Sequence, residues 1–206
     1  MLRWLYVANC RGHYSGSSET TLDADLGLLF RGNSFKDLLD PLLTKFGRLH
    51  VEAGDFRGRG ERSPLFSIAY LALKNAGAMD WKSGLGLSLA HQGQLHYIEY
   101  HHIFPKSLLR GTYEKGEINE IANMAFISSK ANRGISNKRP AEYLPAVMAD
   151  RGDSALATQA IPLEPELWQI ERFRDFLDYR RSKLAETVNK FVDESVSAGK
   201  VVPIPI

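Results

Sequence analysis

The sequence predicts an α+β fold, mostly helical, on three observations. Apolar residues recur at helical spacing through the first ninety or so residues and again near the C-terminus. Two short runs, QLHYIEYHHIFP and MAFIS, carry strand-like alternation or β-propensity instead. A polar, glycine-containing connection, RGTYEKGEINEIAN, separates those runs, so they suit a two-stranded hairpin with a long loop.

Leu2, Leu5 and Tyr6 are spaced for one face of a first helix. Ser18 can cap a second, carrying Leu22, Leu26 and Leu29, with Gly32 as its stop. A third is expected after Ser34 through Phe35, Leu38, Leu39, Leu42, Leu43 and Phe46, kinked or split at Pro41. The glycine-rich, charged stretch EAGDFRGRGERS reads as a loop, after which Pro64 opens an apolar helix that Gly77 ends. The pattern changes at about Leu95, where the first strand run begins and stops at Pro105. MAFIS, from Met124 to Ser128, is the second strand; SKANRG and PAEYLPAVMAD are short helices after it. Beyond a loop through Pro162, residues Leu167, Ile170, Phe173, Leu177, Leu184, Val188 and Phe191 mark a long C-terminal helix, and VVPIPI a tail. The expected organisation is a helical region over 1–92, a central unit over 93–150, and the helix and tail over 151–206.

At 206 residues, 44% hydrophobic and 24% charged, the chain can build a real core. A formal charge of +2 leaves no global attraction for a polyanion, so such a partner needs a local patch. Cys10 stands alone, which excludes an internal disulfide framework and a multi-cysteine zinc knuckle. No segment has the length and composition of a bilayer span, and the opening residues lack a signal-peptide layout. A cytoplasmic location without membrane contact is the expectation.

The chemistry concentrates between His101 and Pro140. Seven basic residues fall there (Lys106, Arg110, Lys115, Lys130, Arg133, Lys138 and Arg139) against three glutamates, a local excess suited to phosphates. His101 and His102 are adjacent, and successive side chains on a strand point to opposite faces. The two imidazoles therefore divide their work, one toward a metal inside the motif and the other toward whatever fills the cleft. Phosphodiester hydrolysis needs both jobs: a cation to neutralise charge on phosphate and leaving oxygen, and a base for water. Histidine suits the second because its ordinary pKa lies near neutrality.

HHIFP at 101–105, Asn123 at the start of the second strand, and Asn132 at the start of the next helix resemble the order of elements in HNH endonucleases. The run NMAFISSKANRGISNKRP, with its N-x8-N-R-G spacing and downstream proline, is similar to the HNH domain of RNA-guided CRISPR nucleases. The resemblance implies a small ββα-metal core, a hairpin plus helix, embedded between the N-terminal helices and the long C-terminal helix. It implies His102 as general base, and His101 and Asn132 as ligands of one divalent ion, Mg2+ with Mn2+ or Ni2+ as alternatives. Asn123, also in the catalytic set, would organise the loop by hydrogen bonding. Arg133 would contact phosphate, with Lys106, Lys130, Lys138 and Arg139 as further DNA contacts.

RGHYSGSSETTLDADL, SPLFSIAYLAL and HHIFP in this order resemble the C-terminal half of GmrS/GmrD-type modification-dependent restriction proteins. That resemblance implies a DNA nuclease in a restriction or phage-defence system. No glycine-rich phosphate loop precedes the helices, so the expectation is a truncated relative, the product of a split gene, or half of a two-protein system whose other half is a nucleotide-hydrolysing subunit; DNA is the expected partner in each case. Two other readings stand beside it: an inactive DNA- or partner-binding module of the same fold, and an RNase-type toxin. Of the other polar residues, His13, His50 and His91 are expected to be ordinary and partly exposed, and Glu99, on the strand face of His101, to be solvated, with support of a metal ligand from behind as the alternative. His96 shares the predicted first strand. Trp81 and Trp168 are expected in the core, with Tyr143 and Leu144 packing near the motif.

Overall fold

The computed structural model describes residues 1–32, 34–35, 37–88 and 98–197. His91, His96, the first residues of the predicted strand run and the C-terminal tail lie outside the described residues. The fold is α+β and dominated by helices. Helices α1 (Leu2–Cys10), α2 (Ser18–Phe30), α3 (Leu39–Phe46) and α4 (Pro64–Asn75) come first. Strand β1 (Ile98–His102) follows, then the single-turn helices α5 (Lys106–Leu109) and α6 (Lys115–Ile118), and strand β2 (Met124–Ser128). Helices α7 (Ser129–Ile135), α8 (Pro140–Arg151), α9 (Ser154–Ala157) and α10 (Phe173–Ser197) complete the chain.

The strands pair antiparallel, with His101 opposite Ala125 and His102 opposite Met124. Every residue of β2 is buried. Its outward amide edge finds side chains instead of a third strand. Gln159 accepts from Phe126 N at 2.8 Å and donates back to Phe126 O at 2.7 Å, while Asp80 Oδ1 accepts from Ser128 N at 2.7 Å. Helix α7 starts without a linker: Ser128, the last strand residue, is also its N-cap and accepts from Ala131 N at 3.2 Å.

Helix α10 is the spine. It packs against α1 and α4 and against the turns beside the hairpin. Phe173, Phe176, Leu177, Leu184, Val188 and Phe191 are all buried along it, each worth about 1.5–3 kcal/mol in area removed from water. The buried core runs continuously from Val7 in α1 through Ile103 and Phe126 to Val192 in α10. Trp81 and Trp168 lie inside it, as do Tyr143 and Leu144.

The N-terminal third departs from its periodicity in three places, the first in α1, where Leu5 is exposed and Val7, Ala8 and Cys10 are buried instead. The helix around Pro41 starts at Leu39, so the proline falls in its first turn and neither kinks nor splits it. A first-turn residue has no intrahelical acceptor for its N–H, and proline loses nothing there. In α2 the apolar residues are not the buried ones. Leu22 and Leu26 are exposed and Phe30 is 86% exposed, whereas Asp25 is buried. Asp25 Oδ2 meets His13 Nε2 at 2.9 Å and accepts from Tyr14 Oη at 2.6 Å. His13 is therefore buried against the Asp25 carboxyl group rather than partly exposed; His50 is exposed.

Cys10 is buried against this core, and burial pushes its thiol up to about 12 despite the neighbouring Arg11. The native protein is expected to leave Cys10 unlabelled by Ellman's reagent at pH 8. Full reaction should appear only in denaturant; stoichiometric labelling of the folded chain would contradict the burial. Among the described residues, no helix is long and apolar enough to cross a membrane.

Candidate active site

The site is built at the point where β1 runs out. Pro105 closes the strand and the chain turns across the start of β2. Asn123 makes that turn rigid. Its Oδ1 accepts from Phe104 N at 2.9 Å, and its Nδ2 donates to Phe104 O at 3.1 Å and to Ile118 O at 3.0 Å. Its own carbonyl accepts from Ile103 N at 2.9 Å. With the side chain fully buried and its amide saturated, Asn123 shapes the loop and presents nothing to a ligand.

Two arginines of α10 brace this loop from behind. Arg180 is wholly buried and donates to four carbonyls: Ala122 at 2.7 Å, Met124 at 2.9 Å, Gln159 at 2.7 Å and Ala160 at 3.2 Å. Burial lowers its pKa to about 9, so the guanidinium stays charged at neutral pH. Arg181 forms a two-pronged pair with Glu120, at 2.6 and 2.8 Å, and Glu120 also accepts from Gly58 N at 3.1 Å. Neither arginine carries a sequence signal beyond its place on a helix. Their roles come from residues about twenty to sixty positions away.

His101 and His102 leave the strand on opposite faces. His101 is buried and lies edge-on to the rings of Trp81 and Tyr143, with centroids 6.2 and 5.8 Å away. Its Nδ1 stands 2.8 Å from Oδ1 of Asn132 on α7. Asn132 Nδ2 in turn donates to Glu99 Oε2 at 2.7 Å. Burial lowers the proton affinity of His101, while the Asn132 contact opposes the fall. Its Nε2 is buried with no hydrogen-bond partner among the described residues.

His102 sits beside the Tyr100 ring, centroids 5.9 Å apart, on the other face. Burial, the charge of Lys106 and the neighbouring His101 push its pKa down to about 4, with Asn119 acting in the opposite direction. The imidazole is therefore neutral at pH 7 and has a lone pair to offer. Its Nε2 also lacks a partner among the described residues.

Lys106 and Asn119 continue from His102 into a shallow groove that also contains Arg110, Tyr113 and Lys115. Three cations and no acidic side chain line it, an arrangement suited to a phosphate backbone. Lys130, Arg133, Lys138 and Arg139 are exposed on α7 and the turn before α8. Ser107 Oγ donates to Asn137 Oδ1 at 3.4 Å, tying the start of α5 to that turn. The structure thus brings His101 to Asn132 and sets Lys106 next to His102, while Asn123 stays behind the site.

No protein-family model, curated protein or solved structure matches this chain. The chemistry has to be read from the side chains themselves. Two donors that ligate one ion from adjacent positions at about 2.1 Å each lie about 3 Å apart. The 2.8 Å between His101 Nδ1 and Asn132 Oδ1 fits that requirement. Among the described residues, no three His, Cys, Asp or Glu side chains group into a metal cage. The donors present fit a partial shell of one imidazole and one amide oxygen, to be completed by water and phosphate.

Glu99, expected to be solvated or else to support a ligand from behind, is partly buried and bonded to Asn132. Strand alternation already put it on the face of His101; its partner on α7 could not be read from one strand. Asn119 lay in the polar connection with no signal to separate it from its neighbours.

Proposed function

We propose that this protein is a metal-dependent endonuclease of the HNH type that hydrolyses DNA, working in the cytoplasm as the nuclease part of a restriction or phage-defence system. The observation that carries the reading is the meeting of His101 Nδ1 and Asn132 Oδ1 at 2.8 Å, one residue before a neutral His102 on the opposite face of the strand. A cation held by His101 and Asn132, Mg2+ or in its place Mn2+ or Ni2+, would neutralise charge on the scissile phosphate and the departing oxygen.

The protein's own groups perform the rest. His102 takes the proton of the attacking water. A base at about 4 is weaker than free imidazole, but an anionic phosphate entering the site raises its proton affinity. Lys106, Arg110 and Lys115 hold the backbone in the groove, and Arg133 supplies a further phosphate contact from α7. Asn123 and Arg180 act earlier, by fixing the turn that follows His102 and the start of the strand beside it. A separate nucleotide-hydrolysing subunit is a proposed partner.

Purified protein is expected to convert supercoiled plasmid to open circles with at least one of Mg2+, Mn2+ and Ni2+, and to leave it intact in EDTA. No nicking with any of the three overturns the reading. Cutting of structured RNA with DNA spared would replace the substrate class and keep the chemistry.

A further inference from the structure

We propose that the pocket beside Tyr100 takes an unpaired nucleobase of the bound DNA, so that the protein engages single-stranded or locally melted DNA in preference to intact duplex. The inference rests on the proposed reading of His102 and the cationic groove as the surface that meets DNA. It adds where a base goes when a phosphate lies at His102.

The pocket opens between α4 and the hairpin and encloses about 410 Å3, within the range of small-molecule sites, roughly 300–1,000 Å3. Tyr100 and Phe126 stand opposite one another across the two strands, and Phe66 and Tyr70 come from α4. Phe66 is edge-on to Tyr100, centroids 5.6 Å apart, and 5.3 Å from Phe126, which in turn is 5.1 Å from Tyr70. Tyr100 is 38% exposed, and its hydroxyl donates to Glu61 on the loop before α4, which holds the ring in place. A fixed aromatic wall open to solvent is a platform on which a base stacks, whatever its identity, because every base has a π-face.

The distribution of charge decides which part of a nucleotide goes where. Glu99 is the one charged side chain of the pocket lining, and a carboxylate repels phosphate. The groove that continues from His102 is the reverse, with three cations and no acid. Along the chain the order is Tyr100, His102, Lys106, and Tyr100 shares a strand face with His102, centroids 5.9 Å apart. A base in the pocket and a backbone in the groove therefore leave the phosphate between them at His102.

A second observation asks for a polar ligand. Tyr70 is nine-tenths buried, yet its hydroxyl has no hydrogen-bond partner among the described residues. A buried hydroxyl costs free energy unless something bonds to it. The edge of a base carries donors and acceptors; an aliphatic ligand carries none. In a duplex those edges are paired and both faces are stacked, so a base reaches the pocket only from a single strand or by leaving the stack, which is costly.

The test measures binding of the full chain in EDTA to a short fluorescent DNA strand, alone or annealed to its complement. Wild type is expected to hold the single strand about tenfold more tightly than the duplex, or better. Tyr100→Ala should weaken the single strand about 5–100-fold, the loss of one stacked base, and leave the duplex unchanged, while Tyr100→Phe should match wild type. Ser67 is exposed on α4 and lines the pocket, so Ser67→Met fills it without removing a wall and should weaken the single strand selectively as well. A strand carrying 2-aminopurine should lose emission on binding wild type and keep it with Tyr100→Ala.

Equal wild-type affinity for strand and duplex overturns the proposal, as does single-strand affinity unchanged in Ser67→Met. If Tyr100→Ala does not fold, Ser67→Met decides. Plasmid nicking by a protein whose single-strand affinity ignores the pocket removes the pocket and keeps the nuclease reading. Pocket-dependent binding by a protein that nicks nothing keeps the pocket and removes the nuclease reading.

Discussion

His102→Ala is expected to slow plasmid nicking about a thousandfold in whichever metal supports the wild type. The side chain sits on the last residue of β1, where the strand gives way to Ile103, Phe104 and Pro105. That loop is held by Asn123 and by Tyr143, whose Oη donates to Ile103 O at 3.0 Å, and none of these bonds involves the His102 imidazole. The variant should therefore fold, with a far-UV circular dichroism spectrum and melting temperature close to wild type, and should bind DNA. What it loses is the lone pair of a neutral imidazole. Since the folded pKa lies near 4, the group is unprotonated from neutral pH down to that value and is ready to accept a proton. Initial nicking rates decide the matter: equal rates for His102→Ala and wild type would end its assignment as the base.

The second large effect is on stability. Arg180→Met should cost about 4 kcal/mol or more, read as a shift of the urea midpoint and a drop of roughly 10–15 °C in melting temperature. Methionine fills much of the same volume, so the loss does not come from a cavity. It comes from the carbonyls of Ala122, Met124, Gln159 and Ala160, which are left buried without their donor. Two of these flank Asn123, so the surviving folded fraction should also nick more slowly. Arg180→Lys is not expected to rescue either property, because an ammonium on a flexible stem cannot span four acceptors as the planar guanidinium does. A midpoint unchanged from wild type would show that the carbonyls find other partners.

Much of the fold was legible in the sequence because local signals and tertiary outcome agree. Met124–Ser128, Pro64 as a helix opener, Pro140 as another and the apolar stripe of α10 all fall where periodicity and proline chemistry put them. His101, His102, Asn123 and Asn132 are singled out by their resemblance to the HNH order of elements. Which of them meet, and which stays behind the strand, needed three dimensions. A saturated amide on Asn123 and a half-used one on Asn132 look identical in a chain of letters.

The failures have the same physical root. Asp25 is a polar residue in an apolar helix, and only the approach of His13 and Tyr14 makes it the side chain that goes inside. Arg180 reads as one more charge on an amphipathic helix. Its role depends on four carbonyls from segments that meet only when the protein has folded. Pro41 differs in kind: the periodic pattern overran the true helix start, and the proline itself marked the first turn.

The side-chain cover on β2 has a consequence for how this protein meets other molecules. MAFIS is a short, uncharged, β-prone segment, the kind of sequence that nucleates strand stacking between chains when its edge is bare. Gln159 occupies both hydrogen-bonding groups of Phe126, and Asp80 takes the amide of Ser128. An incoming strand finds those groups already spoken for. On that side the hairpin is closed to edge-to-edge aggregation, at the cost of two polar side chains held inside the protein.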